Sequence, residues 1–389
     1  MKRLAIIIGT CMMLIFTSIS PVGAEEENKQ QLAEDAKAAL LLERDSGKVL
    51  FEKNADEQLP PASMTKVMTL LLVMEALENE VISLDEEITI SENAASMGGS
   101  QVFLAAGEEM KIEDLIKAVA IASGNDASVA LAERIAGSET SFVQMMNEKA
   151  KQLKLENTHF ENASGLPGKN HYSTAYDMGI IAKELLKYEE IVHYTSIYED
   201  YLRKGEENEF WLVNTNKLVH FSPYIDGLKT GYTEEAQYCL TATAKKDDMR
   251  VVSVIMGAED TKSRNAMTMN LIDFAFNQYD SEKIFNKGEK VAELSLLHAE
   301  NETYDVVMSE PISLLHKKGQ KQTEHWDTEV QLDNLDQFPV KKGEKVGTMY
   351  IKQNDQVIHQ SDVHVQKEIA KANFKDLWKR SVAHIAKFR

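Results

Sequence analysis

Residues 60–77 read Pro-Pro-Ala-Ser-Met-Thr-Lys-Val-Met-Thr-Leu-Leu-Leu-Val-Met-Glu-Ala-Leu. The paired prolines close an extended stretch and can launch a helix, which the apolar run predicts over Val67 to Leu77. Residues three apart share a helix face, so Ser63 and Lys66 stand side by side at the start of that helix. Upstream the chain runs Ala-Ala-Leu-Leu-Leu-Glu-Arg from Ala38, Asp45-Ser46-Gly47 reads as a turn, and Lys48 to Phe51 resumes, which predicts a β-hairpin. Downstream the period is helical at Ile112 to Ala122, Ala127 to Ala136 and Ala175 to Leu186, the last with Ser173 or Thr174 as its cap.

Strands return around Lys229. Tyr238 to Ala244, a polar turn at Lys245 to Asp248, and Arg250 to Met256 predict a second hairpin, followed by a helix from Ala266 to about Tyr279. Strands at both ends with helices between them predict an α+β fold, an antiparallel sheet flanked by helices and carrying a helical cluster. Beyond Ser281 short alternating stretches at Lys290 to Leu296, Thr303 to Met308, Thr328 to Leu332, Lys345 to Ile351 and Val357 to Val365 predict a small all-β domain. The division expected is 25–280 for the first domain and 281–366 for a small β-sandwich.

Three short motifs occur in order: Ser63-Met64-Thr65-Lys66, Ser123-Gly124-Asn125 and Lys229-Thr230-Gly231. The Ser-x-x-Lys pattern occurs once. Ser-x-Asn also occurs at Ser91 and Ser263, but only Ser123 lies on a break between two helical patterns and between the other two motifs. Taken singly, Ser63 reads as a cap, Lys66 as a solvated lysine, Ser123 and Asn125 as a turn, and Lys229 as the start of a strand. Their conjunction points to nucleophilic catalysis. A serine alcohol is a poor nucleophile until a base removes its proton, and a lysine serves as that base only if burial or positive potential lowers its pKa from about 10.4. Ser123 and Asn125 can relay a proton and hold a substrate amide, while Lys229 places positive charge near a substrate carboxylate. The strand bearing Lys229, Thr230 and Gly231 offers an edge for an extended peptide, with Thr230 able to bond a terminal carboxylate. The backbone amides of Ser63 and Tyr232 are candidates for an oxyanion hole.

The two ends carry different signals. Met1-Lys2-Arg3, an apolar run from Leu4 to Phe16, and Pro21-Val22-Gly23-Ala24 have the layout of a cleavable export signal over 1–24. A transmembrane anchor competes with that reading, but the run is short for a bilayer. Cys11 follows too little of the run to mark a lipoprotein. Loss of the two positive charges of Lys2 and Arg3 takes the formal charge from −19 to −21, which argues against a nucleic-acid partner. Cys239 is then the single remaining cysteine, so no disulfide is available and the thiol reads as a buried small hydrophobe. At the other end Lys367, Lys371, Lys375, Lys379, Arg380, Lys387 and Arg389 are opposed by Glu368 and Asp376. Ala370, Phe374, Leu377, Trp378, Val382, Ile385 and Phe388 recur at helical spacing, which predicts an amphipathic helix over 367–389 lying on an anionic membrane surface. A helix docked on its own domain is the other reading. The ten histidines show neither His-x-His nor His-Glu-x-x-His spacing, so no zinc-peptidase ligand set is visible.

With these motifs the chain resembles the D-alanyl-D-alanine carboxypeptidases, the low-molecular-mass penicillin-binding proteins, over nearly its whole length. The resemblance extends through Pro60-Pro61-Ala62-Ser63-Met64-Thr65-Lys66, Asn162-Ala163-Ser164-Gly165-Leu166, Asn214-Thr215-Asn216-Lys217 and Asp226-Gly227-Leu228-Lys229-Thr230-Gly231-Tyr232-Thr233. It is nearest to enzymes of endospore-forming bacteria, and a sporulation role is left open by the residues. It implies a β-lactamase/transpeptidase-like fold, a serine acyl-enzyme, no metal and no cofactor. It also implies inhibition by β-lactams and trimming of peptidoglycan stems ending in D-Ala-D-Ala on the outer face of the cytoplasmic membrane. Arg264 resembles a family position that helps receive the substrate carboxylate; otherwise it is a helix-start arginine. Two rivals share the motifs. A class A β-lactamase uses a glutamate to activate water, and no Glu-x-x-Leu-Asn pattern stands between Ser123 and Lys229. A non-catalytic penicillin-sensing or wall-binding module would not need the intact Ser63–Lys66 pair.

Overall fold

The computed structural model describes residues 31–319, 326–335, 337–374, 377, 378 and 380. The expected export signal over 1–24 and the last nine positions of the basic tail lie outside the described residues.

The first hairpin forms as β1 (Ala38–Glu43) and β2 (Val49–Lys53). The motif strand is β3 (Ile225–Thr233), and the second hairpin is β4 (Gln237–Lys246) and β5 (Met249–Ala258). They form one antiparallel sheet in the order β2-β1-β5-β4-β3. Every residue of β1 and β5 is buried. Such strands read as continuous apolar runs because both faces of the sheet are covered. Alternation then assigns each residue to a face. Leu40 and Leu42 pack into the helical cluster, while Ala39 and Leu41 pack against the closing helix on the other side.

The cluster consists of α1 (Lys66–Glu78), α2 (Ile112–Ala122), α3 (Asn125–Ala136), α4 (Glu139–Gln152) and α5 (Ala175–Leu185). Helix α1 is apolar on all sides, with Val67, Met68, Leu70, Leu71, Leu72 and Val73 buried, so it is enclosed by its neighbours. Truncating Leu71 to alanine would cost about 2–5 kcal/mol. Thr174 caps α5 by accepting from the Asp177 amide at 3.0 Å, which fixes that start where the sequence placed it. Helix α6 (Thr261–Gln278) covers the opposite face through Met267, Leu271, Ile272, Ala275 and Phe276. It begins five residues before the expected Ala266, because Asp260 caps it by accepting from the Ser263 amide at 2.7 Å.

After a strand at Tyr279–Phe285, which pairs with Ile312–Lys317, the chain builds a five-stranded antiparallel sheet. Its strands are Lys290–Ser295, Thr303–Met308, Trp326–Leu332, Lys345–Gln353 and Gln356–Val365, around a core of their own that includes Val306, Val346, Ile351 and Val363. The chain stays extended at Ile369 and Lys371, which bridge to Val340 and Ala299, and Phe374, Leu377, Trp378 and Arg380 are helical. Among the described residues no helix is long and apolar enough to cross a membrane.

Candidate active site

Ser63 does not lie on the α-helix proper. Ala62–Thr65 form a single 3-10 turn and α1 starts at Lys66, so the nucleophile candidate sits one turn ahead of the expected helix. Ala62 adopts φ 48°, a left-handed conformation that a side-chain-bearing residue rarely takes. The turn still brings Lys66 Nζ within 3.1 Å of Ser63 Oγ.

The lysine is fully buried and has two further partners. Its Nζ donates to Asn125 Oδ1 at 2.6 Å and to the carbonyl of Ser164 at 2.6 Å. Both oxygens can only accept. An uncharged amine has two protons and one lone pair, so donation to these two oxygens leaves the lone pair facing Ser63 Oγ. Burial holds Lys66 well below its ordinary pKa, the charge of Lys229 pushes it down further, and Asp126 partly opposes them.

Three segments place these partners. The loop at Asn162–Leu166 folds around its own first side chain: Asn162 Oδ1 accepts from the amides of Ser164, Gly165 and Leu166 at 3.2, 2.7 and 3.1 Å. Gly165 is required there, since a Cβ at its φ of +85° would lie 1.9 Å from the Ala62 carbonyl. Ser123 and Asn125 occupy the break between α2 and α3, as expected. Ser123 adopts φ 66°, and its buried hydroxyl has no hydrogen-bond partner, which is unusual for a buried polar atom and marks it as available to a substrate. Asn125 Nδ2 donates to the Gly98 carbonyl at 2.6 Å, and the neighbouring Asp126 carboxylate accepts from the amides of Val102 and Leu104 at 3.0 and 3.1 Å. Together they fix the 98–104 wall of the cleft.

The third motif lies mid-strand on β3, at the edge of the sheet. A Cβ on Gly231 would stand 2.7 Å from the Pro61 carbonyl, so glycine lets the strand pass close to the Ser63 turn. Thr230 Oγ1 donates to Thr215 Oγ1 at 2.8 Å, tying β3 to the Asn214–Lys217 segment. Tyr232 is half exposed, and its ring packs on Tyr238 with centroids 4.5 Å apart, so only its backbone is available to the cleft. Lys229 is buried, donates to the Thr230 carbonyl at 3.1 Å, and is lowered to about 7 by burial and by the charge of Arg264. Arg264, in the first turn of α6, is itself buried and donates to Asn265 Oδ1 at 2.8 and 3.1 Å. Among the described residues no carboxylate lies in ion-pair range of Lys66, Lys229 or Arg264. Lys229 and Arg264, buried without a carboxylate partner, favour an anion. Beside the Ser63 turn a concavity of about 220 Å³ opens between Pro60–Ala62, Gly165–Lys169 and Thr233. Cys239, paired across from Gly231 on β4, is fully buried and its thiol is pushed up to about 11 by burial.

The first three motifs therefore meet, and the sequence reading missed three contributors: the Ser164 carbonyl, the Asp126 carboxylate and His171. His171 touches Thr65 of the Ser63 turn at 2.7 Å.

Comparison with known proteins identifies the family. Residues 25–260 match the family described as D-alanyl-D-alanine carboxypeptidase, peptidase S11, and residues 279–371 match the penicillin-binding protein 5 C-terminal domain. The chain is 47% identical to D-alanyl-D-alanine carboxypeptidase DacF of Bacillus subtilis over the full length of both. Penicillin-binding protein 5 of Haemophilus influenzae superposes with a TM-score of 0.66 at 30% identity, covering 86% of this chain and 98% of that one. Penicillin-binding protein D2 of Listeria monocytogenes, solved in an ampicillin-bound form, superposes at 0.56 with 33% identity over 62% of this chain and 98% of its own. With the sheet, the β domain and the whole-length identity in agreement, the chain belongs to the S11 family of D-alanyl-D-alanine carboxypeptidases and has the penicillin-binding protein 5 fold.

Proposed function

We propose that this carboxypeptidase removes the terminal D-alanine of peptidoglycan stem pentapeptides through an ester on Ser63, and that β-lactams acylate the same oxygen. The observation that carries the reading is the place of Lys66 Nζ, fully buried and 3.1 Å from Ser63 Oγ, with two oxygens that can only accept as its other partners. Ser63 Oγ attacks the carbonyl carbon of the penultimate D-alanine, and its proton passes to Lys66 Nζ. The amides of Ser63 and Tyr232 receive the oxyanion. The C–N bond then breaks, and Ser123, with its unengaged hydroxyl, passes a proton from Lys66 to the departing amine. Asn125 holds the substrate amide. Lys229, Thr230 and Gly231 line the edge strand, and Lys229 with Arg264 attracts the free carboxylate of the terminal D-alanine. Water then attacks the ester carbonyl as Lys66 takes its proton, the bond to Ser63 Oγ breaks as Lys66 returns that proton to the oxygen, and the shortened stem leaves as a carboxylic acid. The Listeria relative's ampicillin complex supports β-lactams as inhibitors.

In this reading residues 1–24 direct export, 25–280 form the catalytic domain and 281–366 hold it away from the lipid; Ile369 and Lys371 are bridged to the β domain instead of opening the expected helix, so the tail lies on the anionic outer face of the cytoplasmic membrane from Phe374 onward. Phe374 and Trp378 are 84% and 60% exposed, which supports a lipid-facing tail. Full-length protein should pellet with anionic vesicles, and no loss of pelleting on deletion of residues 373–389 would refute the tail's role.

The test of function is incubation of wild type and Ser63→Ala with a diacyl-L-Lys-D-Ala-D-Ala peptide and with labelled penicillin. Wild type should release D-alanine and keep a long-lived label, and Ser63→Ala should do neither. Rapid turnover of penicillin would instead identify a β-lactamase, and binding without either reaction a sensor.

A further inference from the structure

His171 lies behind the cleft, 5% exposed, and belongs to none of the three motifs. Its two ring nitrogens serve opposite sides of the site. Nδ1 lies 3.2 Å from the backbone nitrogen of Glu161, with Asn162 Nδ2 at 3.4 Å. An amide N–H can only donate, so Nδ1 accepts and carries no proton. In the neutral ring the proton is then on Nε2, which donates to Thr65 Oγ1 at 2.7 Å. Phe160 packs edge-on against the ring with centroids 5.8 Å apart, so the imidazole has one orientation.

The two segments it joins are two of the three that hold the Lys66 amine, the third being the break that carries Asn125. Thr65 is the residue before Lys66, in the turn that carries Ser63. Glu161 and Asn162 open the loop whose Ser164 carbonyl accepts from Lys66 Nζ. A second strut from the same helix, Thr69 Oγ1 donating to the Ala163 carbonyl at 2.6 Å, runs parallel to it. Burial lowers the imidazole to about 4, His159 acts in the same direction and Glu161 against it, so the ring stays neutral at neutral pH.

We propose that His171, as the Nε2–H tautomer, is a positioning residue that sets the distance from the Lys66 amine to Ser63 by tying Thr65 to the Glu161–Leu166 loop. The inference rests on the reading of Ser63 and Lys66 given above. Reacting groups displaced by about 1 Å can lose on the order of 100-fold in rate. Loosening the strut also admits water beside Lys66, which relieves its desolvation and raises its pKa. The charged groups that face Lys66, Lys229 from β3 and Asp126 from α3, are unchanged by that loosening.

The experiment measures the rate of labelled-penicillin acylation against pH, together with peptide kcat and KM, in full-length wild type, His171→Ala, His171→Gln and Thr65→Val. Rates are normalised to the folded fraction. His171→Ala and Thr65→Val should lose about 10- to 100-fold in acylation rate and kcat with little change in KM. The acid limb of their pH profile should move to higher pH. His171→Gln, whose amide can still donate toward Thr65, should recover part of the rate. Should His171→Ala fail to fold, Thr65→Val alone carries the test, since it removes only a hydroxyl. A rate within threefold of wild type, or a uniform fall at every pH, would assign His171 to stability alone. Retention of acylation in a parallel Ser63→Ala control would instead defeat the reading of the nucleophile.

Discussion

The cleft and the seam between the two domains both bury cations, and they treat them in opposite ways. In the seam Arg44 pairs with Asp45 at 2.5 Å and with Glu189 at 3.2 Å, Asp45 accepts from Ser313 Oγ at 2.6 Å, and Lys187 pairs with Glu310 at 3.2 Å. Beneath the sheet Arg250 grips Asp226 with two bonds of 2.8 Å. In the cleft Lys66, Lys229 and Arg264 are buried as deeply as Arg44 and more deeply than Lys187, and neutral oxygens are their partners. A buried pair costs little beyond its desolvation, whereas an unpaired buried cation is expensive and loses its proton more easily. The seam's pairs join the two domains, whereas the basic groups of the cleft are left without a carboxylate partner among the described residues.

That contrast can be broken at several points. The largest effect should follow from Lys66→Met, which removes the base: penicillin acylation should fall by at least about 1,000-fold while the melting temperature holds or rises, because a desolvated amine is replaced by an apolar chain. Asp45→Ala should do the reverse. Urea unfolding should show a loss of about 3 kcal/mol, because buried Arg44 keeps only the more exposed Glu189 as a partner and Ser313 loses its acceptor, with acylation of the folded protein unchanged. Lys229 sharpens the comparison by charge. Its pKa of about 7 means that the empty cleft loses positive charge as pH rises through that value. The kcat/KM for a peptide with a free carboxylate should therefore decline above about pH 7. Lys229→Arg should move that limb upward, and Lys229→Ala should cost about 10- to 100-fold in kcat/KM.

How much of this was legible depended on where the signal was written. The hairpins at Ala38–Lys53 and Gln237–Ala258, and α2 at Ile112–Ala122, were readable because both periods and turn residues were explicit. Helix α4 was missed because its sequence is polar and only Phe142, Met146 and Ala150 are fully buried. The hairpin of Glu199–Leu202 and Phe210–Val213 was hidden by a charged, glycine-bearing loop and by the exposed Tyr201 and Trp211 on its outer face. In the cleft, motif order identified the side chains but not their support. The Ser164 contact is a backbone carbonyl, which no residue type announces. His171 lies 106 positions from the threonine it touches, and a lone histidine has no local pattern that would reveal the pairing.

The central claim is that Lys66 is an uncharged amine beside Ser63. Titrating the full-length protein with 13Cε-labelled lysine by NMR, with Lys66→Met to assign the signal, tests it directly. The account predicts a Lys66 resonance that titrates well below the surface lysines. A Lys66 resonance that titrates with the surface lysines near about 10.4 would contradict it.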